Sequence, residues 1–188
     1  MAAHDPRTLP DDLPVPVDDS AADHLPGLRI PAVSLPATSG GEVDLSSLPG
    51  RSVVYAYPRT GVPGQAPLVA DWDAIPGARG CTPESCGFRD HHADLSTAGA
   101  RVFGLSTQDT KYQRAAVERL RLPFPLLSDD QLHLTAAIGL PTFEAAGETL
   151  LRRLTLVVDD GRVRHVWYPV FPPDSHATVV LDWLRANS

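Results

Sequence analysis

Two compact runs of β-branched and aromatic residues, Ser52-Val-Val-Tyr-Ala-Tyr57 and Arg101-Val-Phe-Gly-Leu-Ser106, stand either side of a helix-start signal at Thr82-Pro83-Glu84-Ser85. That order constrains the fold more than any other feature of the chain. The signal follows the usual grammar, with a hydroxyl cap at Thr82, proline at the first helical position and an acid in the first turn. Phe88, His92 and Leu95 give the helix one apolar side, and Gly99 ends it. Strand, helix, strand predicts a parallel pair joined by a right-handed crossover. Pro58 closes the first strand, because proline has no N–H to give to a ladder.

The remaining pattern fits one α/β domain. Leu28 to Leu35 and Glu42-Val-Asp-Leu45, separated by Gly40-Gly41, read as a short hairpin. Asp109 or Thr110 opens a second helix with Tyr112, Ala116, Val117 and Leu120 at helical spacing, and Leu132 to Ile138 forms a short third. Leu154 to Val158 and Val163 to Trp167, joined at Asp160-Gly161, predict another hairpin. Val179, Val180, Trp183 and Leu184 mark a C-terminal helix. Residues 1–27, rich in Pro, Asp and Ala, predict a disordered or extended arm, with the folded domain spanning 28–188. No internal repeat or second domain is visible.

Composition excludes several function classes. With 16 Lys+Arg against 23 Asp+Glu the formal charge is −7, and no basic run offers a footprint for nucleic acid or an anionic membrane. No 18-residue apolar window is present, and the N-terminus lacks a signal-peptide pattern, so a cytoplasmic location is expected. Nucleotide-binding loops, serine-hydrolase elbows and H-E-x-x-H are absent. Trp167, Tyr168, Phe171 and Trp183 read as packing residues, and no cofactor is expected. Lysine occurs once, at Lys111, so finding arginine at a given position says little by itself.

The two cysteines, Cys81 and Cys86, carry the chemistry. Cys81 falls at the start of the predicted helix, where unpaired N–H groups and the macrodipole favour an anion. Arg79 stands two residues earlier as a nearby positive charge. A free thiol with a pKa of about 8.5 is only a few per cent thiolate at neutral pH, so the reactive reading requires an exposed Cys81 with a lowered pKa. Five residues along a regular helix separate Cα atoms by more than about 8 Å, whereas a disulfide needs roughly 4.4 to 6.8 Å. A bond between the two would unwind the first turn. The plainer alternative is two unrelated thiols, Cys86 being a small buried hydrophobe. A metal site using Cys81, Cys86 and His91 or His92 does not converge, because five-residue steps turn successive ligands about 140° round the helix.

Cys81-Thr-Pro-Glu-Ser-Cys-Gly-Phe-Arg-Asp90 resembles the active-site helix of the peroxiredoxins, most closely the PrxQ or bacterioferritin-comigratory-protein subfamily. Val53 to Pro58, Phe103 to Thr107, Leu122 to Asp129 and Arg153 to Asp159 are similar to further segments of that family, which extends the likeness over about residues 28–185. The resemblance implies a thioredoxin-like fold, a central mixed β-sheet flanked by helices. It implies Cys81 as peroxidatic nucleophile, Cys86 as resolving thiol and Arg153 as the guanidinium that stabilises the thiolate and activates the peroxide. Pro58 would shield the site. The substrate would be hydrogen peroxide or an organic hydroperoxide, and the reductant thioredoxin or a similar dithiol, with the protein a monomer or homodimer.

The chain departs from that family at one point. The family's active-site threonine falls on Ala78 when counted back from Cys81, or on Val62 when counted from Pro58 with residues 65–80 inserted. Thr60 and Thr82 are then the candidate hydroxyls. The insertion, with Trp72 and Asp73, reads either as a solvated loop or as a lid over Cys81. The other class of reading is a thioredoxin-like disulfide oxidoreductase or redox-sensing module. C-x-x-C and a proline before the facing strand would mark it, and residues 81–86 and 150–155 show neither.

Overall fold

The computed structural model describes residues 5–188. In chain order the strands and helices are β1 (Ser34–Pro36), β2 (Glu42–Asp44), β3 (Arg51–Ala56), α1 (Cys81–Asp90), α2 (His92–Thr97), β4 (Ala100–Ser106), α3 (Thr110–Leu120), β5 (Leu126–Ser128), α4 (His133–Ile138), β6 (Thr142–Ala145), β7 (Glu148–Leu151), β8 (Leu154–Asp159), β9 (Arg162–Trp167) and α5 (His176–Ala186). The central sheet runs β5-β4-β3-β8-β9. β3 is parallel to β4, and β4 to β5, while β8 lies antiparallel to β3 and to β9. This is the mixed, helix-flanked sheet expected.

β3 is apolar throughout because both its faces are covered. Val53, Tyr55 and Tyr57 point into a core shared with Phe88, Leu95, Ala116, Val180 and Leu184 from α1, α2, α3 and α5. Val54 and Ala56 point the other way, against Leu35, Leu134, Ile138 and Leu156. Gly104 on β4 leaves room for Tyr55 and Leu126, whose side chains occupy the space a Cβ would take. No helix among the described residues is long and apolar enough to cross a membrane.

Four local features differ from expectation. The helix begins at Cys81, capped by Gly80 at φ 107° rather than by Thr82, so Pro83 stands at the third helical position, where its missing N–H is still one of the unpaired first-turn groups. It also breaks at His91 into α1 and α2. The β6–β7 hairpin carries no β-branched pattern in sequence. Its turn, Ala146-Gly147, puts both residues at positive φ (52° and 77°), a geometry that Asn-Gly or Gly-Gly would have advertised.

The fourth is the arm. Packed structure begins well before Leu28: Leu25 is fully buried and Ala22 nearly so, both in the core beneath β3. His24 Nε2 lies 2.8 Å from the Ile138 carbonyl, and the Tyr168 hydroxyl donates to Asp19 at 2.8 Å. A composition poor in apolar residues concealed these anchors, because a few contacts spaced along the segment hold it against the core. Leu25→Ala is expected to cost about 2–4 kcal/mol, the range for emptying a core leucine site, seen as a lower urea midpoint. A leucine on a loose arm would cost less than about 0.5 kcal/mol.

Candidate active site

β3 ends where the site begins. Ala56 pairs with Leu154 of β8, so Arg153 stands at the end of the ladder, beside the exit through Tyr57 and Pro58. Pro58 is buried and ends the pairing, which leaves the next amide free. That amide, Arg59 N–H, donates to Cys81 Sγ at 3.4 Å. Arg153 Nη2 donates to the same sulfur at 3.2 Å. Cys81 itself opens α1, so the sulfur also faces the positive end of that helix.

Arg153 is 3 % exposed and Glu84 fully buried, and the two form an ion pair through Nη1. Nη2 further donates to the carbonyls of Gly77 (3.2 Å), Ala78 (3.4 Å) and Arg79 (3.1 Å), which fixes the loop leading into Cys81. Glu84 was legible only as a first-turn acid. One helical turn after Cys81, it aims at the same cation.

Charge counting explains the titration behaviour. One buried guanidinium serves two groups able to become anions, and both are out of water. Burial pushes the Cys81 thiol up, Arg153 pulls it back, and Glu84 pushes it further up. Burial likewise raises Glu84 to about 7 despite Arg153. Arg153 stays cationic: the cysteine and the glutamate outweigh the desolvation of its guanidinium. The exposed, low-pKa cysteine expected from sequence is therefore corrected. Cys81 is 2 % exposed, and its thiol is raised by burial rather than lowered.

A small cleft of about 80 Å³, open to solvent, leads to Cys81. Thr60, Val62, Thr82 and Tyr112 line it, with Leu68 and Trp72 from the insertion. Thr60 donates its hydroxyl (3.3 Å) and its N–H (3.1 Å) to Gln108 Oε1. Thr82 Oγ1, by contrast, is buried without a partner. Val62 occupies the wall with no hydroxyl to offer. Residues 65–80 are not a free loop: Trp72, Leu68, Ile75 and Ala78 form a small core with Phe143 and Leu150 of the β6–β7 hairpin.

Arg79 is placed differently from the sequence expectation. Its guanidinium turns to Asp73 (3.1 Å) and to the arm carbonyls of Asp5 and Thr8, while its own carbonyl accepts from Arg153. Cys86 is half-buried on α1, where burial raises its thiol and Arg89 lowers it; both cysteines are free. Gln108 and Tyr112 were missed as site residues. Asp109 caps α3 by accepting from Tyr112 N–H at 2.7 Å, and the Tyr112 hydroxyl donates to the Thr60 carbonyl at 2.8 Å.

The Redoxin family model matches residues 25–181. Peroxiredoxin Bcp of Escherichia coli K12 is 31 % identical over 163 residues, covering 84 % of this chain and 94 % of that one. Chloroplastic peroxiredoxin Q of Suaeda salsa is 33 % identical over 162 residues, covering 85 % and 67 %. Among solved structures, peroxidoxin BcpB of Mycobacterium tuberculosis superposes with a TM-score of 0.69 at 29 % identity, covering 87 % of this chain and 98 % of that one. A peroxiredoxin Q of Xanthomonas campestris gives 0.64 at 23 %, covering 93 % and 98 %. A sulfur held by a buried guanidinium at a helix start, within a chain so related, has one family reading: the chain belongs to the Redoxin family as a peroxiredoxin of the Bcp and Q kind, a thiol peroxidase.

Proposed function

We propose that Cys81 is the peroxidatic nucleophile, Cys86 the resolving thiol and Arg153 the group that stabilises the thiolate and polarises the peroxide. The observation carrying this reading is the pair of donors converging on Cys81 Sγ, Arg153 Nη2 at 3.2 Å and Arg59 N–H at 3.4 Å, at the foot of an open cleft. The thiolate attacks one peroxide oxygen; the O–O bond breaks, an S–O bond forms, and the other oxygen leaves as water or an alcohol once protonated. Cys86 then displaces hydroxide from the sulfenic acid, which leaves as water, and closes a disulfide. Thioredoxin or a similar dithiol returns both thiols by exchange in the cytoplasm. Pro58, buried just past the end of β3, shields the thiol. Thr82, with its unpartnered hydroxyl, orients the peroxide in place of the absent threonine.

Glu84 sets the pH response. Below about 7 it is neutral and leaves Arg153 to the thiolate; above that it is charged and competes. Alkylation of Cys81 by iodoacetamide in Glu84→Gln is therefore expected to outpace wild type near pH 8 and to converge with it below about pH 6, where wild-type Glu84 is neutral too. Arg153→Lys keeps the charge but loses the forked geometry, and peroxide consumption should fall roughly 10² to 10³-fold, as for loss of one preorganised donor. With peroxide, wild type should end as an intramolecular disulfide by mass, Cys86→Ser should stop at sulfenic acid, and Cys81→Ser should be inert. A Cys81 oxidised no faster than a free thiol would overturn the assignment.

A further inference from the structure

Residues 5–17 lie along the chain segment that leads into Cys81. Arg79, 7 % exposed, donates Nη2 to the carbonyls of Asp5 and Thr8, the latter at 2.9 Å, and Nε to Thr8 at 3.3 Å. Leu9 Cδ2 stands 3.1 Å from the position a Cβ would take at Gly80, and Pro16 is 3.6 Å from that of Gly77. Across the cleft, Pro6 Cβ is 3.0 Å from the equivalent point at Gly61, and Pro6 itself lines the cleft above Cys81. The arm thus grips both the loop before α1 and the opposite wall. Its base is held separately, by Leu25 and Ala22 in the core and by Tyr168 on Asp19.

Resolution pulls on this grip. Cys81 and Cys86 sit on one helix, too far apart to bond until the first turn of α1 opens. Opening moves Cys81 and, through the single residue Gly80, pulls on Arg79. The carbonyls of residues 77–79 then leave Arg153, and the Arg79 guanidinium leaves Asp5 and Thr8.

We propose that the N-terminal arm is a redox-released latch: residues 5–17, hooked on Arg79, hold the peroxide-competent first turn of α1 in the reduced protein, and closing the Cys81–Cys86 disulfide sets them free. This rests on the cysteine pairing given under Proposed function. The oxidant is the peroxide substrate, which takes two electrons from the thiols. Coupling of this kind is reciprocal, so weakening the latch also eases disulfide closure.

The Arg7–Thr8 peptide bond lies between the two carbonyls that Arg79 holds, and trypsin cleavage there reports release of the arm. The full chain would be compared reduced and after diamide, which closes disulfides without peroxidase chemistry, with the bond confirmed by intact mass. Cleavage after Arg7 is expected to be at least about tenfold faster in the disulfide form, a shift in local opening of the kind protease rates report. Cleavage after Arg29, in the part fixed to the sheet, should not change. Reduced Arg79→Gln should be cut at Arg7 as fast as the disulfide form, and peroxide-treated Cys86→Ser, oxidised without unwinding, should stay protected. Equal rates in the two redox forms, or full protection in reduced Arg79→Gln, would overturn the latch. If peroxide leaves both thiols free while diamide still frees the arm, the latch stands and the peroxidatic assignment fails.

Discussion

The buried guanidinium of Arg153 is the constraint on which the rest of the site depends. A cation taken out of water is costly unless its charge is answered and most of its donors are paired. Here three carbonyls of the loop before α1, the Glu84 carboxylate and the Cys81 sulfur take the two terminal nitrogens, while Nε is buried without a partner. The same contacts that stabilise the arginine therefore shape the loop, seat the first turn of the helix and aim the sulfur. Removing the cation outright would leave a buried carboxylate uncompensated, so structure and reactivity cannot be separated at this residue.

Sharing one cation between two acids also gives the site its proton logic. Neither the thiolate nor the carboxylate is fully compensated, and both groups are raised by burial. A proton on Glu84 and a negative charge on Cys81 are thus linked states of one cluster rather than independent titrations.

Around this centre the chain builds its own walls. The segment 65–80 is anchored through Trp72 and Leu68 on the β6–β7 hairpin, and it lines the cleft. The arm crosses the same region and is fastened to Arg79 instead of leaving that guanidinium to the thiol. Both elements touch residues within a few positions of Cys81.

Much of the architecture was legible in the chain itself. The parallel β3–β4 pair, the α1 crossover, the capped start of α3 and the β8–β9 hairpin follow from local patterns, because periodicity, proline and cap residues act over a few positions. The cysteine pair and its place at a helix start were equally visible. Arg153 was nameable only by likeness to a family, since an arginine among so many announces nothing. Its pairing with Glu84, the spent hydroxyl of Thr60 and the diversion of Arg79 to the arm were decided by tertiary structure alone. These contacts join residues 48 to 74 positions apart, apart from the Asp73–Arg79 pair six residues apart, and depend on strand register and burial. Sequence determined which groups could do chemistry; only the fold decided which of them share a charge.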